Sequence, residues 1–424
     1  MNNWRETTLG MVAEVFTGYP FKSEFYSEGI EDIKLLRGDN IAQGTMDWGD
    51  AKKWPFEQLK DYEEYQLKEG DIVLAMDRPW IGAGLKYSQI LKNDLPALLV
   101  QRTARLRGSD VLDTGYLKYI IGSPWFTSYI KRITTGSLVP HISLKQIREF
   151  PVKLPSVEEQ RSAAAVLQVI DKKIELNNRI NSELEAMAKT LYDYWFVQFD
   201  FPDANGKPYK SSGGKMVYNA VLKREIPEGW SDKTLSQIAN ITMGQSPAGS
   251  SYNEEGIGTI FYQGSTDFGW LFPSTRQYTT APSRMAKKGD ILLSVRAPVG
   301  DMNIANTDCC IGRGLAALNS KTGSDGFLFY VMKYFKQIFD RRNSEGTTFG
   351  SITKNDLHSL TLAYPTSDLL EKYDEVVTNY NKMIFERSLE NRELVNLRDW
   401  LLPMLMNGQV TIKPSTEAQE AQHG

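Results

Sequence analysis

Two segments of the chain have the hydrophobic spacing of long amphipathic helices. The run 157–197 contains no glycine or proline and is rich in Glu, Lys, Leu and Ala. Its apolar residues recur three or four positions apart, as they do again in 373–401, which is the period of an α-helix. Ser156 can cap the first helix, because Glu159 stands three positions later in a capping-box spacing. The pattern predicts two helices of about 40 residues and about 60 Å each, whose apolar stripes are buried most simply against one another.

The apolar spacing is interrupted at an equivalent place in both segments. The interrupting residues are polar and stand 210 positions apart: Asn177, Asn178 and Asn181 in the first segment, and Arg387, Ser388 and Asn391 in the second. Polar residues inside an apolar seam cost stability but fix the register of paired helices. Asn181 and Asn391, which are identical equivalents, are therefore predicted to set the register of the helix pair. A solvated turn on each helix would give the same pattern.

The chain ahead of each helical segment contains the same module. Corresponding blocks are separated by 226 residues near the start of the modules, by 219 in the middle and by 210 at the end. The paired blocks are Leu9–Gly18 with Leu235–Gly244, Gly70–Leu74 with Gly289–Leu293, and Gly136–Ser143 with Gly346–Thr353. The second module is thus 16 residues shorter, whereas the helical segments match in length. We predict two divergent copies of one domain.

Each module is predicted to be an α/β (α+β) domain with long surface loops. Strand-like runs such as Asp71–Met76 and Ile291–Val295 alternate with turns and short helices, of which Phe327–Asp340 is the clearest. A connector rich in Gly, Pro, Ser and Lys joins the two halves. The predicted boundaries are 1–155 for the first domain, 156–198 for the first long helix, 199–222 for the linker, 223–365 for the second domain, 366–408 for the second long helix and 409–424 for a disordered tail.

Composition narrows the class of protein. With 41% hydrophobic and 24% charged residues, the chain has the composition of a typical globular protein. Its length of 424 residues is enough for two or three domains. Its apolar runs are far shorter than the ~18 residues that span a bilayer, and its first residues lack a signal-peptide pattern. We therefore expect a cytoplasmic protein with no membrane partner. The two adjacent cysteines, Cys309 and Cys310, cannot build a disulfide framework or a zinc site on their own.

The charge balance does not decide whether a nucleic acid is the partner. The net charge of −3 and the pI of about 5.9 argue against a basic protein overall. Residues 205–360 nevertheless carry 18 Lys and Arg against 13 Asp and Glu. A nearly neutral chain can therefore still present one basic surface.

The common catalytic motifs are absent from the sequence. It contains no GxxxxGK[ST] phosphate loop, no complete GxGxxG, no Asn/Asp-Pro-Pro-aromatic motif of amino-methyltransferases and no carboxylate–lysine set of metal-dependent nucleases. Of the three histidines, His141 is loop-like, and His358 and His423 have no evident catalytic partners. We predict no catalytic residue and no metal site in this chain, which favours a binding or scaffolding protein.

Polar loops bracketed by glycine and aromatic residues are the candidate binding sites. Arg, Asn and Gln side chains can form bidentate hydrogen bonds with base edges, whereas Lys, Ser and Thr suit phosphates. Lys145 and Lys354 each follow an Ile-Ser or Ile-Thr pair that can cap a short helix, and a helix N-terminus beside a lysine suits a phosphate. Solvent-exposed loops that are anchored by aromatic residues and bind nothing would have a similar composition.

Taken in order and with their duplication, these blocks resemble the specificity (S) subunit of type I restriction–modification systems. The resemblance covers nearly all of the chain. It rests on the opening Trp4…Gly18 block, the two Gly-Asp-Ile strands, the Gly…Ile-Ser/Thr…Leu…Pro blocks, Ile226–Trp230, and the segments Leu154–Arg161 and Leu401–Gly408 beside the helices. One departure is the start of the second helix, where Thr366–Lys372 lacks the Glu-Gln pair of Leu154–Arg161.

The resemblance implies that each module is a target recognition domain for one half of a bipartite, asymmetric DNA site. It implies tandem domains joined by two long helices that form an antiparallel coiled coil with a pseudo-twofold internal repeat. The family's S subunit has no catalytic activity. It recruits two methyltransferase (M) subunits, which use S-adenosylmethionine to methylate adenine at N6, and up to two restriction (R) subunits, which use ATP and Mg. No cofactor is therefore expected in this chain.

The resemblance and the loop composition together define the predicted DNA-binding residues. They are Arg37, Asn40, Arg78, Lys145, Gln263, Arg296 and Lys354. Two other interpretations stay open. The chain could be a stand-alone DNA-modifying enzyme, or a tandem-domain protein that binds a sugar or protein ligand.

Overall fold

Two compact units make up the chain. The computed structural model describes residues 4–81, 84–134, 140–344, 351–410 and 412. Unit 1 is Met1–Glu175 together with Asn391–Gly424, and unit 2 is Leu176–Glu390. This division departs from the linear order of the predicted domains, because each unit takes a part of both long helices.

The described part of unit 1 has eleven strands and three short α-helices. The strands are β1 (Arg5–Thr8), β2 (Glu14–Thr17), β3 (Ile33–Leu36), β4 (Lys53–Trp54), β5 (Ile72–Ala75), β6 (Trp80–Ile81), β7 (Gly84–Leu85), β8 (Tyr87–Gln89), β9 (Ala97–Leu99), β10 (Thr103–Arg107) and β11 (Pro151–Leu154). The helices are α1 (Thr114–Ile121), α2 (Pro124–Thr134) and α3 (Leu144–Arg148). The long helix α4 (Val157–Tyr192) follows and ends in a π-helical turn, Asp193–Val197.

A central antiparallel sheet of order β2-β10-β5-β8 organises unit 1. All four residues of β5 are buried, and successive side chains of a strand point to opposite faces. Ile72 and Leu74 belong to the core that contains α1, α2 and the start of α4. Val73 and Ala75 belong to a second core, shared with the sheet β4-β3-β9, in which β3 and β9 are parallel.

The described part of unit 2 has thirteen strands and three shorter α-helices before the second long helix. The strands are β12 (Met216–Asn219), β13 (Arg224–Pro227), β14 (Ser231–Thr234), β15 (Ala239–Met243), β16 (Tyr252–Asn253), β17 (Thr259–Tyr262), β18 (Tyr278–Thr279), β19 (Met285–Ala286), β20 (Ile291–Ser294), β21 (Met302–Ile304), β22 (Cys309–Ile311), β23 (Leu315–Ser320) and β24 (Thr361–Tyr364). The helices are α5 (Leu235–Ile238), α6 (Asp325–Ser344), α7 (Lys354–Ser359) and the long α8 (Ser367–Met406).

Unit 2 repeats the topology of unit 1. Its central sheet has the order β15-β23-β20-β21, and β17 pairs with β22 in parallel as β3 does with β9. Strand β20 also divides its side chains between two cores, with Ile291 and Leu293 in one and Leu292 in the other. The predicted internal repeat is confirmed, and both domains mix α-helices and β-strands.

The first long helix begins with the predicted capping box. Ser156 donates its backbone N–H to Glu159 Oε2 over 2.9 Å, and the N–H of Glu159 donates to Ser156 Oγ over 3.3 Å. The next residue, Gln160, is fully buried, and its amide bonds to the backbone of Val111, Asp113 and Pro155. In the second copy the residue 210 positions later is Leu370, which is also buried. An apolar contact thus replaces the amide network, which accounts for the missing Glu-Gln pair.

The two long helices meet within each unit. In unit 1, Ala163 and Leu167 of α4 share a core with Leu402 and Leu405 of α8. In unit 2, the hydroxyl of Tyr373 donates to the carbonyl of Ala188 over 3.1 Å. Also in unit 2, Asn177 Nδ2 donates to Glu390 Oε2 over 2.8 Å. The contact made by the earlier residue of α4, Asn177, is thus with the later residue of α8, Glu390. The helix segments of unit 2 are therefore antiparallel.

A carboxylate on α4 connects three helices of unit 1. Asp171 accepts hydrogen bonds from Lys118 Nζ at 2.9 Å and Tyr119 Oη at 2.8 Å on α1, and from Arg398 Nη1 at 3.3 Å on α8. Burial acts to raise the pKa of Asp171, but the Lys118 ammonium, the hydrogen bonds and Arg398 together outweigh it and hold the pKa below its ordinary value. The carboxylate is therefore charged at neutral pH.

Replacing Asp171 by asparagine should destabilise unit 1 by about 1–3 kcal/mol at pH 7, because two cations lose their charged acceptor. A group whose pKa is lowered by folding stabilises the fold above its unfolded pKa and loses that effect as pH falls. The difference in the free energy of unfolding between wild type and Asp171→Asn should therefore disappear below about pH 4. Urea unfolding at several pH values measures it. A gap that stayed constant down to pH 3 would contradict the charge argument.

The predicted linker 199–222 is more structured than its composition suggests. Strands β12 and β13 form an antiparallel hairpin. Phe201 stacks on Tyr209, with ring centroids 4.6 Å apart, and on Trp230 at 5.4 Å. Aromatic residues placed between the breaker residues therefore pack the segment onto unit 2. Among the described residues, no helix is both long and apolar enough to cross a bilayer.

Candidate nucleic-acid interface

Four loops of unit 1 meet beside the ends of β3, β5 and β10. We call them loop surface 1, made of Arg37–Asn40, Met76–Pro79, Gln101–Arg102 and Pro140–Ser143. The backbone N–H of Met76 donates to the carbonyl of Arg102 over 2.9 Å, and that of Ile142 donates to Met76 over 2.8 Å. A side chain at Gly38 would lie 3.9 Å from the carbonyl oxygen of Asp77, so the first two loops are also close.

The equivalent loops of unit 2 are joined by the same backbone hydrogen bonds. We call them loop surface 2, made of Gln263–Asp267, Val295–Pro298, Gly312–Gly314 and Ser351–Thr353. The N–H of Val295 donates to Gly314 over 2.9 Å, and that of Ile352 donates to Val295 over 2.9 Å. A depression of about 340 Å³ is lined by Gly264–Thr266, Ser294, Arg296–Pro298, Asp301 and Gly314. The two surfaces therefore share one scaffold.

Charged side chains differ between the two surfaces. On loop surface 1, Asp77 binds His141 Nδ1 through Oδ1 and Arg102 Nη1 through Oδ2, the latter at 3.0 Å. On loop surface 2 the residues in the places of Asp77 and His141 are Arg296 and Ser351, which form the same antiparallel bridge. A carboxylate is thus replaced by a guanidinium on otherwise matching loops.

Four of the predicted DNA-binding residues lie on these surfaces with accessible side chains. Arg78 and Arg296 are exposed. Arg37 is partly exposed and lies 3.5 Å from the carboxylate of Asp39. Gln263 is exposed, and its amide lies within 3.1 Å of the Ser246 hydroxyl through both Oε1 and Nε2. The structure brings Arg37 and Arg78 together in unit 1, and Gln263 and Arg296 together in unit 2.

Asn40 has a different role from the one predicted. Its side chain is 6% exposed. Its Oδ1 accepts the backbone N–H of Arg37 over 3.0 Å, and its Nδ2 donates to the carbonyl of Asp47 over 3.0 Å. The amide is occupied in holding the loop. Asn40 therefore supports loop surface 1 from within and is not a candidate for recognising a base.

Lys145 and Lys354 are exposed on short helices, but the helix N-termini beside them are not the open phosphate sites that we predicted. Ser143 and Gln146 form a capping box at the start of α3. At α7, Thr353 and Asp356 form another, with Asp356 N–H donating to Thr353 Oγ1 over 3.2 Å. The hydrogen bond from the Thr353 hydroxyl holds the pKa of Asp356 below its ordinary value. A negative charge already occupies that N-terminus and opposes a phosphate.

The predicted register residues fall where the two units divide. Asn181 belongs to unit 2, is 1% exposed, and carries a buried Oδ1 that accepts no hydrogen bond from the described residues. Asn391 belongs to unit 1. Their pairing stays a prediction. The neighbouring Asn177, part of the same polar interruption, makes the cross-helix contact with Glu390 described above.

Three further predictions concern residues outside the described ranges. The Gly-hydroxyl turns at Gly136-Ser137 and Gly346-Thr347 lie there, as does nearly all of the predicted tail 409–424. Within the described ranges, no group of three or more His, Cys, Asp and Glu side chains could hold a metal ion. Cys309 and Cys310 are buried free thiols, and burial raises the pKa of Cys309 to about 12.

Sequence reasoning missed the cluster of Asp77, Arg102 and His141. The sequence shows His141 only as loop-like, and Arg102 lies in a short turn with no motif of its own. The repeat offers one signal that could have found Asp77, since it stands 219 residues before Arg296. A position predicted to bind DNA in one copy thereby marks its equivalent in the other.

Comparisons with known proteins assign the chain to a family. Residues 1–186 and 227–379 match the model of the type I restriction modification DNA specificity domain. A Methanocaldococcus jannaschii protein described as the type I restriction enzyme MjaX specificity subunit is 32% identical over 367 residues, which are 84% of this chain and 81% of that protein. The HindI specificity subunit of Haemophilus influenzae is 22% identical over an alignment of 492 positions, which covers 97% of this chain and 100% of that protein.

A crystal structure shows the same fold. It is the S subunit of a type I restriction–modification system from M. genitalium, with a TM-score of 0.59, 17% identity and coverage of 96% of both chains. The family model matches two stretches, which agree with the two copies of the repeated topology. The chain belongs to the family of type I restriction–modification DNA specificity subunits.

Proposed function

We propose that unit 1 and unit 2 each recognise one half of a bipartite, asymmetric DNA site, through loop surface 1 and loop surface 2. One observation carries the proposal. The two surfaces are built on the same backbone scaffold but carry different side chains, with Asp77 in one where Arg296 stands in the other. Equivalent scaffolds would approach DNA in equivalent ways, and different side chains would select different bases.

The residue types on the two surfaces support recognition of base edges. Exposed arginines and a glutamine, which suit guanine and adenine in the major groove, stand at Arg37, Arg78, Gln263 and Arg296. Lys145 and Lys354 are exposed at the margins of these loops and suit phosphates as flexible cations. The net charge of −3 means that the attraction to DNA must come from such local groups.

The two long helices are proposed to form an antiparallel coiled coil that sets the separation of the half-sites. The antiparallel contacts within unit 2 support this arrangement. Linking two recognition domains through a stiff element makes binding of the second half-site intramolecular, which raises affinity without new contacts. Asn181 and Asn391 would fix the helix register.

Catalysis is proposed to reside in partner subunits. The chain would recruit two methyltransferase subunits, which bind S-adenosylmethionine and methylate adenine at N6, and up to two restriction subunits, which use ATP and Mg. No cofactor is assigned to this chain. The MjaX relative is described as a specificity subunit of a restriction enzyme, which supports such an assembly.

The experiment is to co-express this chain with the methyltransferase subunit of its own system and to map methylated adenines across the host genome. Methylation confined to one bipartite motif is the expected result. The control is the methyltransferase subunit alone, which should leave the motif unmodified. Methylation that persists without this chain would overturn the proposal. Labelling of DNA by the purified chain and S-adenosylmethionine would instead support a stand-alone enzyme.

A further inference from the structure

Arg102 on loop surface 1 has a backbone conformation that stability does not explain. Its φ is +65°, in the left-handed region, which is unfavourable for a residue with a Cβ. The equivalent position of unit 2 is Gly314, since Met76 and Val295 donate matching hydrogen bonds to these two carbonyls. Gly314 itself does not have a positive φ, but a glycine at position 102 would adopt this φ without strain, so an arginine is the less stable choice for this turn. Unfavourable backbone conformations of this kind concentrate at functional sites.

The contacts of the Arg102 side chain do not offset that cost. The side chain is 70% exposed, and its carboxylate partner Asp77 is 31% exposed. Ion pairs in such surroundings contribute little to stability. Among the described residues, Asp77 is the one side chain with which Arg102 forms a hydrogen bond or an ion pair. The arginine is therefore better explained by something outside the chain.

Asp77 holds the guanidinium in a defined orientation. One carboxylate oxygen binds His141 Nδ1 and the other binds Arg102 Nη1. The backbone of Asp77 is fixed as well, by the bridge to His141 and the bond from the Arg78 N–H to Pro140. A guanidinium has five N–H donors in a rigid plane, so the contact with Asp77 orients the plane and leaves donors for a ligand.

We propose that Arg102 recognises a guanine in the half-site of unit 1, and that Asp77 is its positioning residue. An oriented guanidinium donates two parallel hydrogen bonds to guanine O6 and N7 in the major groove. Loop surface 2 has glycine at the equivalent position, so this contact belongs to one half-site only. The inference rests on the proposed function, because it assigns one base of that site to one residue.

The test compares methylation motifs produced by variants of the full chain together with its methyltransferase subunit. Arg102→Gly places the residue of unit 2 in the turn and relieves the left-handed arginine, so the variant should fold with no loss of Tm. We expect one guanine in one half of the motif to become degenerate, with a 10- to 100-fold loss of discrimination at that position, and the other half to stay unchanged. Arg102→Lys, which keeps the charge but cannot form the bidentate pair, should show the same degeneracy with stronger overall methylation than Arg102→Gly.

Asp77→Asn tests the positioning role. It keeps the shape of the side chain but removes the charge that orients the guanidinium, so discrimination at the same guanine should fall by less than in Arg102→Gly. Lys22→Ala is the matched control, because Lys22 is also exposed and ion-paired, with Glu24 at 3.8 Å, and lies outside loop surface 1. It should leave the motif unchanged.

Three results would overturn the inference while leaving the proposed function intact. The first is an unchanged motif in Arg102→Gly, and the second is degeneracy at an A·T pair. A uniform loss of methylation that Arg102→Lys restores would show a phosphate contact and would overturn it too. If the wild-type complex produced no bipartite motif, the proposed function would fail and the inference with it.

Discussion

Replacement of Tyr373 by alanine is expected to lower the free energy of unfolding of unit 2 by about 3–5 kcal/mol, the range for truncating a fully buried aromatic residue. The ring of Tyr373 on α8 is completely buried. Its centroid lies 5.0 Å from Phe196 and 6.0 Å from Trp195 in the π-helical turn. Alanine would leave a cavity between the two long helices, and well-packed neighbours can fill it only in part.

The hydroxyl of Tyr373 makes a separate contribution. It donates to the Ala188 carbonyl over 3.1 Å, and burial raises the pKa of Tyr373. Tyr373→Phe keeps the ring and removes this bond, which should cost about 1 kcal/mol. Guanidinium unfolding followed by tryptophan fluorescence measures both variants. Equal losses in the two would contradict the packing argument.

Replacement of Gly244 by alanine should cost about 3 kcal/mol, at the upper end of the range for overpacking. A Cβ there would lie 2.1 Å from the carbonyl oxygen of Gly312 and 2.8 Å from that of Leu315. Both obstacles are backbone atoms beside the β15–β23 ladder, so a rotamer change cannot relieve the clash. Gly312 also begins a turn of loop surface 2, so the substitution should disturb this surface as well as the fold.

Because the two units are copies of one domain, the equivalent substitution can be made in unit 1. Gly18 is the equivalent of Gly244 at the offset of 226, and a Cβ there would lie 2.2 Å from the carbonyl oxygen of Leu99. Gly18→Ala should destabilise unit 1 by a similar amount. Gly249→Ala is the control, because nothing lies within 4 Å of its Cβ position. Differential scanning calorimetry should show a Tm close to wild type for the control alone, and a wild-type Tm for Gly244→Ala would refute the argument.

Much of the fold could be predicted because periodicity and internal repetition can be recognised in the sequence without knowing which distant residues are in contact. The capping box at Ser156, the helix around Phe327 and the strands at Ile72 and Ile291 all follow from residues close in sequence. The division into units could not be predicted in this way. It depends on which core receives the far end of each long helix, as when Leu405 joins the core of Leu167.

The candidate site was predicted less completely, because loop composition does not reveal burial or partners. Asn40 and Arg37 stand in the same loop, yet the amide of Asn40 closes that loop while Arg37 reaches solvent. Asp356 lies two positions after Lys354 and changes the electrostatics of its helix terminus. Arg102 is singled out by the combination of its positive φ and its contact with Asp77, and neither is encoded in a local pattern.

The sharing of the long helices between the units affects the order in which the chain can fold during translation. All of unit 2 lies before residue 391, so all of its residues are synthesised before Leu402 and Leu405 of unit 1. Unit 1 receives Leu402 and Leu405 only when that end emerges. At about 5–20 residues per second, the first part of the chain to be synthesised waits about one to three seconds longer than the second for its last core side chains. A nascent chain that has released residue 390 from the ribosome, but not yet Leu402 and Leu405, would therefore carry one finished unit and one with part of its apolar core exposed.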